Sequence, residues 1–206
     1  MALIRSVPVV DPTHDAQVAH DAVRALTLLE AMGLIALDAP LAQVTLSQLR
    51  EAARTAAQAG IGRKVPRLLS GRPATEQVAR AMRQLVEALE DSPLPASETR
   101  VMADIFGWPE LSRLAGASQP SLRRYAAGRR HAPDDVANRI HWLARVVGHL
   151  RGAYNDAGIR RWFQRPRAQL NGESPAAFLR GDWSPDDVDV DAVRALAAGL
   201  SGAGAT

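Results

Sequence analysis

The strongest concentration of nucleic-acid chemistry in the chain is the run from Glu110 to Tyr125, followed closely by Arg129 and Arg130. An arginine bonds a guanine edge through two N–H groups, a glutamine matches adenine in the same bidentate way, and a serine hydroxyl reaches a phosphate. For such groups to act together, one short helix must present them and a second must hold it at a tight turn. Leu111 and Leu114 seat the first helix, Ser112 and Ala115 are small enough for close approach, and Gly116 accepts a left-handed backbone in the turn. Ser118 has the side chain to cap the second helix, Pro120 falls in its first turn, and Leu122 and Tyr125 point inward. Gln119, Ser121, Arg123 and Arg124 remain outward, with Arg129 and Arg130 just past the helix end. Together with Ser118 these are the candidate DNA-binding residues, the alternative being a helical hairpin with a solvated basic face.

The charge distribution sharpens that reading. Over 206 residues the net charge is +3, but residues 1–109 carry −1, residues 110–170 carry +8 and residues 171–206 carry −4. A basic block implies a polyanionic partner and an acidic one a basic partner. Lys64 is the single lysine among 25 basic residues, and all nine aromatics lie at or after Phe106.

Other chemistries find little support. With no cysteine there is no disulfide, zinc ribbon or thiol nucleophile. His14, His20 and His131 are scattered, while His141 and His149 share a predicted helix with no carboxylate at metal-ligand spacing, so His141 reads as a helix-surface or partly buried residue. Asp187, Asp189 and Asp191 have the alternation of a calcium loop, but Ala192 stands where the turn needs glycine and Ala198 where a bidentate glutamate belongs. No phosphate loop, nucleophile elbow or carboxylate pair is present, and no metal, cofactor or enzymatic activity is expected. No stretch approaches about 18 apolar residues, and the N-terminal apolar patch, broken by Pro8 and Pro12, is too short for a secretory signal, which predicts a cytoplasmic protein.

The elements that position these residues read as helices throughout, so the expected fold class is all-α. Asp15–Met32 carries Val18, Ala22, Ala25, Leu26 and Leu29 on one stripe and ends at Gly33. Thr45 caps a helix to Ala59, and a third starts near Thr75 and stops at the Pro/Ser cluster 91–95. Shorter helices follow at Ser97–Phe106, Pro109–Ala115 and Gln119–Ala127, then a longer one from Pro133 to about Gly152. Ile159–Arg165 and Ala176–Arg180 flank a Gly172/Pro175 break. Ser184, Pro185, Asp186 and Asp187 read as the capped first turn of a last helix reaching Leu200, beyond which SGAGAT frays. Three domains are predicted: residues 1–95, helical and suited to dimerisation by their leucine stripe; 96–152, holding the paired helices; and 153–206, an interaction domain.

The last of these contains Trp162, Phe163, Pro166, Leu170, Gly172, Pro175, Phe178 and Leu179, a compact apolar cluster around a fixed turn that reads as an interaction surface or, alternatively, as the segment's own core with Trp162 mostly buried. From about Phe106 to Leu200 the chain resembles the Xre/MbcA/ParS-like antitoxins, an Xre-type helix-turn-helix followed by a toxin-binding domain. Trp162, Pro166, Leu170, Gly172, Pro175 and Leu179 carry the resemblance. It implies a RES-domain toxin acting on NAD as partner, bound through that cluster and through Asp186 and Asp187 of the acidic stretch Asp182 to Asp191. It also implies repression of the protein's own operon. A homodimer is expected because one such DNA-binding unit reads too few base pairs. The alternatives are a solitary helix-turn-helix regulator with a C-terminal interaction domain, and a protein–protein adaptor with a vestigial helix pair.

Overall fold

Asp15 opens the first helix by accepting the backbone N–H groups of Gln17 and Val18, each at 3.0 Å, so two donors that no helical carbonyl reaches are satisfied. In this computed structural model residues 15–37 and 44–202 are described, and among them there are helices and turns but no strand. The elements are α1 (Ala16–Ala31), α2 (Leu46–Gln58), α3 (Val65–Leu68), α4 (Thr75–Glu90), α5 (Pro95–Phe106), α6 (Trp108–Ala115), α7 (Gln119–Ala126), α8 (Asp134–Leu150), α9 (Asp156–Gln164), a 3-10 turn (Ala168–Leu170), α10 (Pro175–Phe178) and α11 (Val188–Gly202). Readings that involve Pro8, Pro12 and His14, and the fraying expected of residues 203–206, lie outside the described residues.

Local chemistry explains most of the boundaries. Thr45 and Gln48 form a reciprocal box, Gln48 Oε1 accepting the Thr45 N–H at 2.8 Å and Thr45 Oγ1 accepting the Gln48 N–H at 3.3 Å. α5 begins two residues earlier than expected, because a missing N–H costs nothing at the first helical position and Pro95 therefore starts the helix instead of breaking it. α3 is a single turn that periodicity does not predict, since four residues are too few to show a period. At the other end, Ser184–Asp187 is a separate turn: Asp187 accepts the Ser184 N–H at 2.7 Å, and the helix starts at Val188. Proline is thus not its first residue, a correction to the expected cap.

Two apolar clusters form. The first joins α1, α2, α3 and α4 through aliphatic residues from Val18 to Leu89. α1 buries Leu28 and Thr27 as well as its predicted stripe, because α4 and α8 cover it from two sides. Gly148 permits the α1–α8 approach, since a side chain there would sit 3.2 Å from the Cα of Leu28. The two halves are therefore packed along a shared helix.

The second cluster runs from Met102 to Ala197 without a break at residue 152. Its aromatic rings interlock edge to face, Phe106 with Phe163 at 4.8 Å and Trp142 with Trp183 at 5.1 Å between centroids. Residues 153–202 consequently share one core with residues 96–152. The C-terminal aromatics complete the cluster that α5 to α8 begin.

Candidate nucleic-acid interface and C-terminal segment

α6 and α7 are joined by Gly116, Ala117 and Ser118. Gly116 adopts φ 67° and ψ 28°, the left-handed conformation, and the turn is cross-tied by Ser112 Oγ donating to the Ala117 carbonyl at 2.6 Å. Ser118 accepts the Ser121 N–H at 3.3 Å, and its hydroxyl donates to Ser121 Oγ at 3.0 Å. Leu111, Leu114, Leu122 and Tyr125 are buried, which fixes the face that α7 turns outward.

The seven candidate residues separate into three groups. Ser118 and Ser121 are engaged in the cap. The Arg123 guanidinium lies 4.4 Å from the centre of the half-buried Trp108 ring, a cation–π stack that holds it against α6. Arg124, Arg129 and Arg130 are exposed and form no ion pair with a described residue, and Gln119 beside them is half-buried.

Behind the turn stands a residue that sequence reasoning did not single out. Arg139 of α8 is buried; its Nε donates to the Trp183 carbonyl at 2.6 Å and its Nη2 to Asp182 Oδ1 at 2.6 Å. Its Nη1 occupies the space that a side chain at Gly116 would need. Trp183 in turn donates its indole N–H to the Leu114 carbonyl at 2.9 Å. Residues 182–183 thus close the back of the α6–α7 turn. A buried guanidinium among apolar neighbours demands partners, and that demand was the available signal.

The candidate partner-binding residues divide by exposure. Trp162, Phe163, Leu170 and Leu179 are buried in the second cluster, where they give the segment its shape, and Pro175 is buried as well. Pro166 and Gly172 are exposed and Phe178 is half-buried. Asp186 and Asp187 are exposed, and Asp187 is occupied by the Ser184 turn. Of the other acidic residues, Asp182 pairs with Arg139 and Asp191 with Arg194 at 2.7 Å.

His141 is a buried residue, not one of the helix surface. Its Nδ1 lies 2.7 Å from Oε1 of the fully buried Glu98, and its Nε2 2.8 Å from the Glu90 carbonyl. Burial opposes its charge, but the hydrogen bond and attraction of the Glu98 carboxylate, with the Glu90 carbonyl, prevail and raise its pKa. His149 goes the other way: burial, then the positive charges of Arg24, Arg194 and Arg145 together with His20, push it down to about 3. Beside His141, an open cleft of about 310 Å³ is lined by Glu90, Asp135, Arg139, Arg145, Trp183 and Asp186, among others, and mixes both signs of charge. Among the described residues no group of three or more His, Asp or Glu side chains is arranged to hold a metal, and no helix is long and apolar enough to cross a membrane.

Comparison of the chain with protein-family models, with characterised proteins and with solved structures finds no match.

Proposed function

We propose that the protein is a DNA-binding regulator of the antitoxin type, whose α6–α7 pair acts as a helix-turn-helix on the promoter of its own operon and whose C-terminal segment binds a RES-type toxin that consumes NAD. The observation that carries the reading is α7 itself: a capped helix, turned by a left-handed glycine and seated by Leu122 and Tyr125, with Gln119, Arg124, Arg129 and Arg130 at its outward side. This side-chain set suits the major groove and its flanking phosphates. The reading assigns a binding role and no catalysis, a cytoplasmic setting and a homodimer on paired half-sites. The aliphatic first half is the candidate for self-association.

The toxin assignment rests on the resemblance carried by Trp162, Pro166, Leu170, Gly172, Pro175 and Leu179. The burial of Trp162, Leu170, Pro175 and Leu179 favours a second reading, a solitary regulator, because it leaves Pro166, Gly172, Phe178, Asp186 and Asp187 as the groups able to meet a partner.

The test is titration of the full chain onto a labelled duplex carrying its own promoter, beside a random duplex of equal length. Preferential promoter binding that disappears with Arg124→Ala plus Arg129→Ala is the expected outcome; equal affinity for both duplexes defeats the assignment. Co-purification with the product of the neighbouring gene distinguishes antitoxin from solitary regulator.

A further inference from the structure

The first half of the chain, nearly neutral in total, is not uniformly so. Residues 44–74 contain six basic side chains, Arg50, Arg54, Arg63, Lys64, Arg67 and Arg72, against the single acidic Glu51. Arg54, Arg63, Lys64, Arg67 and Arg72 are all exposed, and none forms an ion pair with a described residue. Elsewhere arginines serve the fold: Arg24 pairs with Glu90 at 2.8 Å and Arg151 with Glu30 at 3.2 Å. The five exposed cations of this stretch have no such pairing.

The backbone brings two of the basic residues, Arg50 and Arg54, to one cleft. Arg50 donates from Nε to the Leu69 carbonyl at 2.7 Å and from Nη2 to the Gly71 carbonyl, which folds the segment after α3 against α2. Arg50 and Arg54, one helical turn apart, then line an open cleft of about 290 Å³ with Pro66, Leu69, Ser70 and Gly71. That is ample room for a phosphate group beside two guanidinium groups.

We propose that this α2–α3 face binds the phosphate backbone of duplex DNA, as a sequence-independent contact separate from α7. The choice among polyanions follows from what the face lacks. Binding single strands uses aromatic platforms for the bases, and the first 105 residues contain no aromatic at all. Lying on a membrane needs an apolar wedge, and the exposed large hydrophobic residues among those described are Tyr154 and Val188, far along the chain. Arginine-rich cations without stacking or insertion chemistry suit a regular array of phosphates. The choice of DNA as the duplex rests on the reading of α7 given above.

The experiment is fluorescence anisotropy of the full chain with labelled promoter and random-sequence duplexes, over a salt series from about 50 to about 300 mM. Two variants are compared, each checked for unchanged helical circular dichroism: Arg54→Gln with Lys64→Gln and Arg67→Gln, and Arg124→Gln with Arg129→Gln. The α2–α3 variant is expected to bind both duplexes more weakly, about tenfold or more. Its plot of log K against log salt should flatten by roughly 0.9 for each phosphate no longer neutralised, while the promoter-to-random ratio stays unchanged. Affinity and slope equal to the parent overturn the proposal while leaving α7 intact. An α7 variant with an unaltered promoter ratio overturns the regulator reading and leaves the α2–α3 face standing. Binding to phosphatidylserine vesicles or to a single-stranded oligonucleotide tighter than to duplex at the same salt also overturns the proposal.

Discussion

His141 and Glu98 lie 43 residues apart in sequence, yet they meet at 2.7 Å with the carboxylate fully buried. The other ring nitrogen faces the Glu90 carbonyl, and Glu98 Oε2 accepts the Leu94 N–H at 3.1 Å. Only a protonated imidazole can donate to both acceptors at once, so the fold favours the protonated form. The pair pins α8 to the end of α4 and the start of α5, at the junction between the two halves. Because the folded-state pKa of His141 is raised above 6.5, its contribution is full below that value and fades as pH rises through the folded value. His141→Gln should therefore cost more in urea unfolding at about pH 6 than at about pH 9. Equal costs at both would refute the charged pair. Glu98→Gln, which removes the carboxylate from the ring, should lower stability and flatten the same pH dependence, as urea unfolding at the two pH values would show.

His149 predicts the opposite limb. Its folded pKa, near 3, lies below the ordinary 6.5. The neutral form is therefore favoured on folding, and stability present above 6.5 is lost as pH falls toward 3. The loss is on the order of a few kcal/mol. Acid titration of His149→Gln should show a flatter decline than the parent, and a parallel decline would remove His149 as the cause.

Two glycines separate backbone strain from crowding. Gly116 and Gly128 have φ of 67° and 66°, but a side chain at Gly128 meets nothing within 4 Å whereas one at Gly116 meets the Arg139 guanidinium. Gly128→Ala should cost about 1 kcal/mol, the left-handed penalty alone. Gly116→Ala should cost distinctly more, and chemical denaturation of the two variants side by side decides whether Arg139 is responsible.

Trp183 offers a finer cut. Trp183→Phe keeps a ring against Trp142 but abandons the Leu114 carbonyl, for an expected loss of about 1–3 kcal/mol. Trp183→Ala removes the ring too and should lose about 3–5 kcal/mol. If thermal or urea unfolding finds the phenylalanine variant as stable as the parent, the indole N–H contributes nothing to holding the turn.

Arg123 and Arg124 are neighbours in different surroundings, the first stacked on Trp108 and the second exposed. Arg123→Ala should lower stability by about 0.5–1 kcal/mol through loss of the Trp108 stack. Arg124→Ala should leave stability unchanged while weakening duplex binding. A stability loss for Arg124 as large as that for Arg123 would contradict the stack as the distinguishing feature.

Helices are the legible part of this chain, because caps such as Asp15 and Thr45 and stripes such as Val18 to Leu29 are local signals. The α6–α7 turn is legible for the same reason: Gly116, Ser118 and Pro120 act within a few residues of themselves. What escapes is long-range and polar. Glu98 sits at helical spacing from Met102 and Ile105 on the buried side of α5, so its burial can be read, but nothing local names His141 as its partner. Arg139 likewise lies on the stripe with Val136, Leu143 and Val147, and its partners Asp182 and Trp183 come more than 40 residues later. The aromatic cluster reads equally as interaction surface or as the segment's own core, because composition reports how much apolar area exists, not which element covers it.

The continuity of the second cluster from Met102 to Ala197 has a consequence in time. During synthesis the first cluster is complete once Leu89 has left the ribosome. Trp142 must then wait for Trp183, and α8 for the valines of α11. At about 5–20 residues per second, the interval from the end of α8 to Ala197 lasts roughly 2–10 s. Throughout it, the nascent chain holds a finished first half beside an α8 whose partners have yet to be translated, so a chaperone that shields apolar helices has its longest opportunity here, between the two closures.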